Sequence, residues 1–186
     1  MIIKFRKKLI EKLFDWSQKL YLKFKKKEPW GISTCELLQF PNGTFGKKLG
    51  YFLHKNGFEL IAKVERHDAY HTLSGFGTNV EDEIALQYLC YGNGKRTPYL
   101  TGVLFLGTAI LPDYFQYYFQ SYKIGKQLNS FHHFDFKKLL HTDFETFRKT
   151  IFSEKQLLKL QALQRNFSTI EYKPKPNNYE SAKKIF

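Results

Sequence analysis

A chain of 186 residues, 42% hydrophobic and 18% aromatic, is long enough to bury a core as one domain and too apolar to stay disordered. Thirty Lys and Arg against 17 Asp and Glu give a formal net charge of +13, and the two cysteines, Cys35 and Cys90, form no CxxC pair, which argues against a disulfide framework and a thiolate zinc site and for a reducing compartment. No apolar run reaches the roughly 20 residues of a membrane-spanning helix, and the N-terminus lacks the apolar segment and cleavage site of a secretory signal, so a soluble or peripheral protein is expected.

Residues 1–29 read as a basic helix ended by Pro29. Ile2, Phe5, Leu9, Leu13, Trp16, Leu20 and Phe24 recur at steps of three or four, with lysines around the rest, and the segment carries over half of the excess positive charge. Three readings compete: an arm packed on the domain, a helix lying in an anionic membrane surface, and a nucleic-acid-binding helix. Trp and Phe opposite Lys favour the membrane, packing on the body is compatible with it, and nucleic acid ranks last because a continuous apolar stripe must also be buried.

From Trp30 onward helices are punctuated by their caps. Thr44 opens one that stops at Gly57, and Leu60 to Leu73 keeps helical spacing up to Ser74-Gly75. Asn79 caps a helix with acids in its first turn, and Thr97-Pro98 and Leu111-Pro112 each place proline at a first helical position. Thr142 with Glu145 and Ser153 with Gln156 both fit a capping box. Little of the chain alternates as a strand does, so the expected fold class is all-α, a single-domain helical bundle over 30–170 with a loosely ordered, proline-broken tail at 171–186. The 19 Phe and 12 Tyr line either an aromatic core or an apolar cavity.

The stretch ERHDAYHTLSGFGTNVEDE, residues 65–83, carries the chemistry. On a helix His67 and His71 lie four apart, about 40° round the axis, so both imidazoles reach one point, and Asp68 lies about 100° from His67 and 60° from His71, within reach as a third ligand or an orienting group. The turn SGFGTNV reverses the chain and brings Glu83 from the next helix. Two imidazoles with one or two carboxylates suit a divalent metal, zinc first, with iron or manganese compatible, and leave positions open for water or substrate. The competing reading is a set of surface histidines and acids, since short His motifs recur by chance. An HExxH protease site does not fit, because Asp68 is a methylene shorter than the glutamate base of that motif.

HDxxH followed by eleven residues and a glutamate resembles the signature of the fourth coenzyme Q (ubiquinone) biosynthesis protein family, supplied here by His67, Asp68, His71 and Glu83. NGTFGKKLGYFLHKNGF, the glycine-rich GVLFLG and YKIGKQLNSFHHFDF with FETFRKTI extend the likeness from about Trp30 to Ile151. The resemblance implies a dimeric, peripheral membrane protein that binds a metal through these four residues and holds a polyprenyl lipid in an apolar cavity. It also implies a lyase acting on a 4-hydroxy-3-methoxy-5-polyprenylbenzoate, taking the carboxylate from C1 of the ring and putting hydroxyl in its place, and an association with other quinone-pathway enzymes. Family members more often place small or apolar residues just before the glutamate, whereas Glu81 and Asp82 stand there in this chain, so three acids compete for the ligand's place. The lysine-rich arm resembles an organelle presequence poorly, which favours the cytoplasmic face of a bacterial membrane over a mitochondrial matrix.

Two alternatives accompany this reading. One is a non-catalytic scaffold that presents a prenylated precursor to partner enzymes. The other is an HD-type phosphohydrolase with His54 as an extra ligand and an aspartate downstream, for which Asp113 beside Pro112 is the available residue. His132-His133 fit the mouth of a cavity, His54 and His141 the surface, and Lys123 and Lys126 either a solvated face or a lipid phosphate.

Overall fold

The structure, a computed structural model, describes residues 2–168, and the expected tail at 171–186 lies outside them. It begins with α1 (Ile2–Phe24), whose expected apolar stripe does not turn into the body. Ile2, Phe5, Leu9, Trp16, Leu20 and Phe24 are exposed, Phe5 at 70% and Trp16 at 65%. The neighbouring face does the packing. Ile10 is buried in the core and Phe14 lies against it. Arg6 pairs with Asp113 at 2.8 Å, Lys7 with buried Glu81 at 2.8 Å, and Tyr21 stacks on Tyr99 with ring centroids 4.7 Å apart. Basic residues can serve that face because the body supplies their acids.

Short-range chemistry sets many of the remaining ends. The helix α2 (Thr34–Leu38) opens on a capping box in which Ser33 and Glu36 satisfy each other's backbone N–H groups, a helix too short for periodicity to disclose. In α3 (Phe45–Asn56), Thr44 accepts from the Lys47 N–H and Gly57 closes the helix in the left-handed conformation, as expected. The expected helix from Leu60 starts late, as α4 (Glu65–Ser74). Lys63 takes φ 73°, which a right-handed helix cannot accommodate, and the Glu65 carboxylate reaches back to accept the Trp30 N–H at 2.8 Å.

Asn79 precedes α5 (Val80–Gly92), though its side chain makes no cap bond, and Thr97 caps α6 (Pro98–Ile110) with Pro98 in the first turn. Pro112–Tyr114 forms one 3-10 turn rather than the start of the aromatic helix, which is α7 (Phe115–Gln127). The cap of α8 (Phe144–Ile151) is Asp143, accepting from the Thr146 N–H at 2.9 Å; the Thr142–Glu145 box does not form because the Thr142 carbonyl accepts from the Phe45 N–H. The Ser153–Gln156 box does form, at the start of α9 (Glu154–Ser168).

Among the described residues there are nine α-helices and no strand, which establishes the all-α class. The helices α5 and α7 lie in close backbone contact, because a Cβ on Gly125 would overlap the Leu89 carbonyl and one on Gly92 the Tyr122 carbonyl. Much of the aromatic excess is core: Tyr70, Phe76, Tyr117, Phe131, Phe136 and Phe152 are fully buried. No helix of the described residues is long and apolar enough to cross a membrane.

Candidate metal centre

His67 and His71 project from one face of α4, and Glu83 from the first turn of α5, where the helix dipole favours a carboxylate. Gly75, left-handed at φ 78°, ends α4 and lets the short loop bring α5 alongside. The loop also orients His71: its Nδ1 lies 3.2 Å from the Phe76 carbonyl oxygen, so Nδ1–H donates there and Nε2 keeps its lone pair for the site. Phe52 stacks on the same ring at 5.4 Å.

Three donor atoms converge. The two Nε2 atoms are 3.1 Å apart, Glu83 Oε2 is 2.8 Å from His67 Nε2, and Glu83 Oε1 is 3.3 Å from His71 Nε2. An ion bonded tetrahedrally at about 2.0–2.1 Å holds its donor atoms roughly 3.3 Å apart, so the spacing fits a metal-sized centre. The donors are two nitrogens and one carboxylate, with a position left open. Among the described residues, His67, His71 and Glu83 are the group able to hold an ion.

Asp68 contributes no atom to that group. It lines the same cavity, and burial, reinforced by Glu83 and Glu65, pushes its carboxyl up to about 7 although His71 opposes the shift. Burial likewise opposes ionisation at Glu83, yet the two imidazoles hold it well below the usual carboxylate range. At His71 burial is outweighed by Glu83, Asp68 and the Phe76 carbonyl, which push it up to about 8, while burial keeps His67 below the ordinary imidazole value.

The three acids face different groups. Glu81 takes Lys7, Asp82 accepts from the Tyr117 hydroxyl at 2.7 Å, and Glu83 alone meets the imidazoles. Sequence reasoning missed Gln87, whose carboxamide lies 3.3 Å from His67 Nδ1; its place one turn beyond Glu83 was the available signal. The residues of an HD-type arrangement stay apart: His54 is exposed on α3 and Asp113 pairs with Arg6. His141 is exposed, and Lys123 and Lys126 lie over the rings of Phe119 and Tyr122.

The trio sits in the wall of a cavity of about 1160 Å3. Its apolar lining includes Phe14, Tyr21, Phe52, Phe58, Leu60 and Val103, and His132 and His133 also border it, as expected for the pair. Residues of α1 form part of this wall, so the helix that exposes an apolar stripe also borders the cavity.

Comparison with known proteins adds a family and a fold. The family described as Coenzyme Q (ubiquinone) biosynthesis protein Coq4 matches residues 60–156, just over half of the chain, a span that contains His67, Asp68, His71 and Glu83. A solved structure from Nostoc punctiforme PCC 73102, of a protein assigned provisionally to ubiquinone biosynthesis, is 18% identical and covers 80% of both chains with a TM-score of 0.55. At that identity the likeness shows the fold alone. No curated protein matches the chain significantly.

Proposed function

The chain belongs to the family of coenzyme Q (ubiquinone) biosynthesis protein Coq4, and from that premise we propose that it binds polyprenylated benzoate precursors of a quinone and, with a divalent metal, removes the carboxylate from C1 of the ring. The observation that carries this reading is the convergence of His67, His71 and Glu83 in the wall of a large cavity with an apolar lining. The lining takes the isoprenoid tail, whose transfer from water contributes about 25 cal/mol per Å2 of buried apolar surface, and the polar pole takes the ring.

Each residue has a task in that scheme. His67, His71 and Glu83 hold the ion, and zinc suits the donor set best, with iron or manganese able to use the same three. Bound there, a divalent ion would supply a Lewis acid with an open position for an oxygen of the substrate, and the oxidative form, in which hydroxyl replaces the carboxylate, would in addition consume dioxygen and two electrons from an external donor, the second oxygen atom leaving as water. When the bond from C1 to the carboxylate breaks, its electron pair stays on the ring and carbon dioxide leaves. In the non-oxidative form the carbon then needs a proton. Asp68, beside the ligands, has its carboxyl pushed up by burial and is the residue placed to deliver it. The exposed stripe of α1, flanked by lysines, seats the protein peripherally on an anionic membrane, with the cavity it borders open to lipid.

The test is release of labelled carbon dioxide from a carboxyl-labelled 4-hydroxy-3-prenylbenzoate by metal-loaded protein. Release by the wild type is expected, with a fall of about 100-fold or more in Asp68→Asn, the scale of a lost general acid. A metal-loaded protein that binds the lipid and releases none is a scaffold presenting the precursor to other enzymes.

A further inference from the structure

The two imidazoles of the metal centre are held from behind by partners of different kinds. His71 Nδ1 lies 3.2 Å from the Phe76 carbonyl oxygen, and a carbonyl only accepts, so that ring keeps its proton on Nδ1 whatever Nε2 faces. His67 meets a carboxamide instead. Gln87 Nε2 lies 3.3 Å from His67 Nδ1, and a carboxamide carries a donor on one side and an acceptor on the other.

The helix α5 explains how both groups reach one ring. Gln87 stands one turn beyond Glu83, so a single helical face meets both nitrogens of His67, with Glu83 Oε2 at 2.8 Å from Nε2 and the Gln87 amide at Nδ1. Gln87 is buried, at 8% exposure, and a buried amide needs a hydrogen-bond partner, which His67 supplies.

The site asks different things of the two sides of that amide. While a neutral His67 carries its proton on Nε2, donated to Glu83 Oε2, its Nδ1 has a lone pair and accepts from the amide N–H, the arrangement that the contact with Gln87 Nε2 describes. Once Nε2 gives its lone pair to a cation, the proton stands on Nδ1 and an acceptor is required there. Half a turn of the amide about its terminal bond brings Oε1 to that place without moving the backbone. The Phe76 carbonyl has no such second role.

We propose that Gln87 is a positioning residue of the metal centre whose amide turns to hold His67 in either tautomer, so that His67 is the adaptable ligand and His71 the fixed one. The proposal rests on the metal centre and is independent of decarboxylation.

Two readouts on the full chain test it: zinc affinity by competition against a chromophoric chelator, and the NMR signal of the His67 Nδ1 proton in the zinc-loaded protein. Gln87→Met keeps the length of the side chain without its amide, so it binds zinc about 10–100-fold more weakly than the wild type, and its Nδ1 proton exchanges faster with water. Gln87→Glu accepts at Nδ1 as the turned amide does, so it binds at least as tightly as the wild type and keeps that proton protected. Gln87→Met within about threefold of wild-type affinity overturns the proposal, and so does Gln87→Glu binding as weakly as Gln87→Met, which marks a packing role alone. Should Gln87→Met fail to fold, Gln87→Glu decides by itself: retained affinity with a protected proton supports the proposal, and lost affinity overturns it. A wild-type protein that takes up no zinc removes the metal centre and this role together, whereas a wild type that binds zinc beside an equally tight Gln87→Met removes the role of Gln87 and leaves the centre standing.

Discussion

Zinc affinity should fall with pH at a slope set by the arrangement around His71. In the metal-free protein Glu83, Asp68 and the Phe76 carbonyl outweigh burial and push His71 up to about 8. Glu83 stays ionised well below neutrality, and burial keeps His67 below its ordinary 6.5. Between pH 8 and about 6.5, then, one proton must leave His71 for each ion bound. The affinity drops about 16-fold across that window, the slope approaching tenfold per pH unit at its acid end. Asp68, pushed up to about 7, takes its own proton over the same range and makes the slope at least this steep. Competition against a chromophoric chelator at constant ionic strength, repeated every half unit, gives the slope directly. Glu83→Gln removes the anion that raises His71, so it both weakens binding and flattens the dependence above pH 7. Zinc affinity constant from pH 6.5 to 8, or a Glu83→Gln variant with wild-type affinity and slope, would refute the assignment of these residues as one centre.

Other consequences follow from the same geometry. For the chelated protein the sign of the stability effect is opposite to that of metal affinity: the raised His71 contributes stability that is fully present below pH 6.5 and lost as pH rises through about 8, so its melting temperature by calorimetry declines across that window. Gly125→Ala drives a Cβ into the Leu89 carbonyl and separates α7 from α5; about 1–3 kcal/mol or more of stability is lost in denaturant titration, and zinc binding weakens with it because α5 carries Glu83 and Gln87. The double variant Phe5→Ser, Trp16→Ser alters exposed positions, so it lowers co-sedimentation with anionic vesicles at an unchanged melting temperature, whereas Ile10→Ser, buried in the core, lowers the melting temperature itself.

Helix ends governed by neighbours in sequence were legible, as at Thr44 with Gly57, Thr97 with Pro98 and Ser153 with Gln156, because a cap needs only a side chain and the next turn's N–H groups. Ends governed by distant groups were not. The late start of α4 depends on Lys63 and on Glu65 reaching Trp30, and the cap of α8 passed to Asp143 once Phe45 engaged the Thr142 carbonyl. The same division runs through the site. His67 and His71 are one helical turn apart and readable as a pair, but only packing decides that Glu81 faces α1, Asp82 faces α7 and Glu83 faces the imidazoles.

The central claim, that His67, His71 and Glu83 form one metal centre, is tested most directly by the metal content of protein purified without chelators. Elemental analysis should find about one divalent ion per chain, lost in His71→Ala and in Glu83→Ala and kept in His132→Ala, whose ring borders the cavity without joining the trio. A wild-type protein without metal that also takes up none from zinc, iron or manganese, or one whose ion survives His71→Ala, would contradict it.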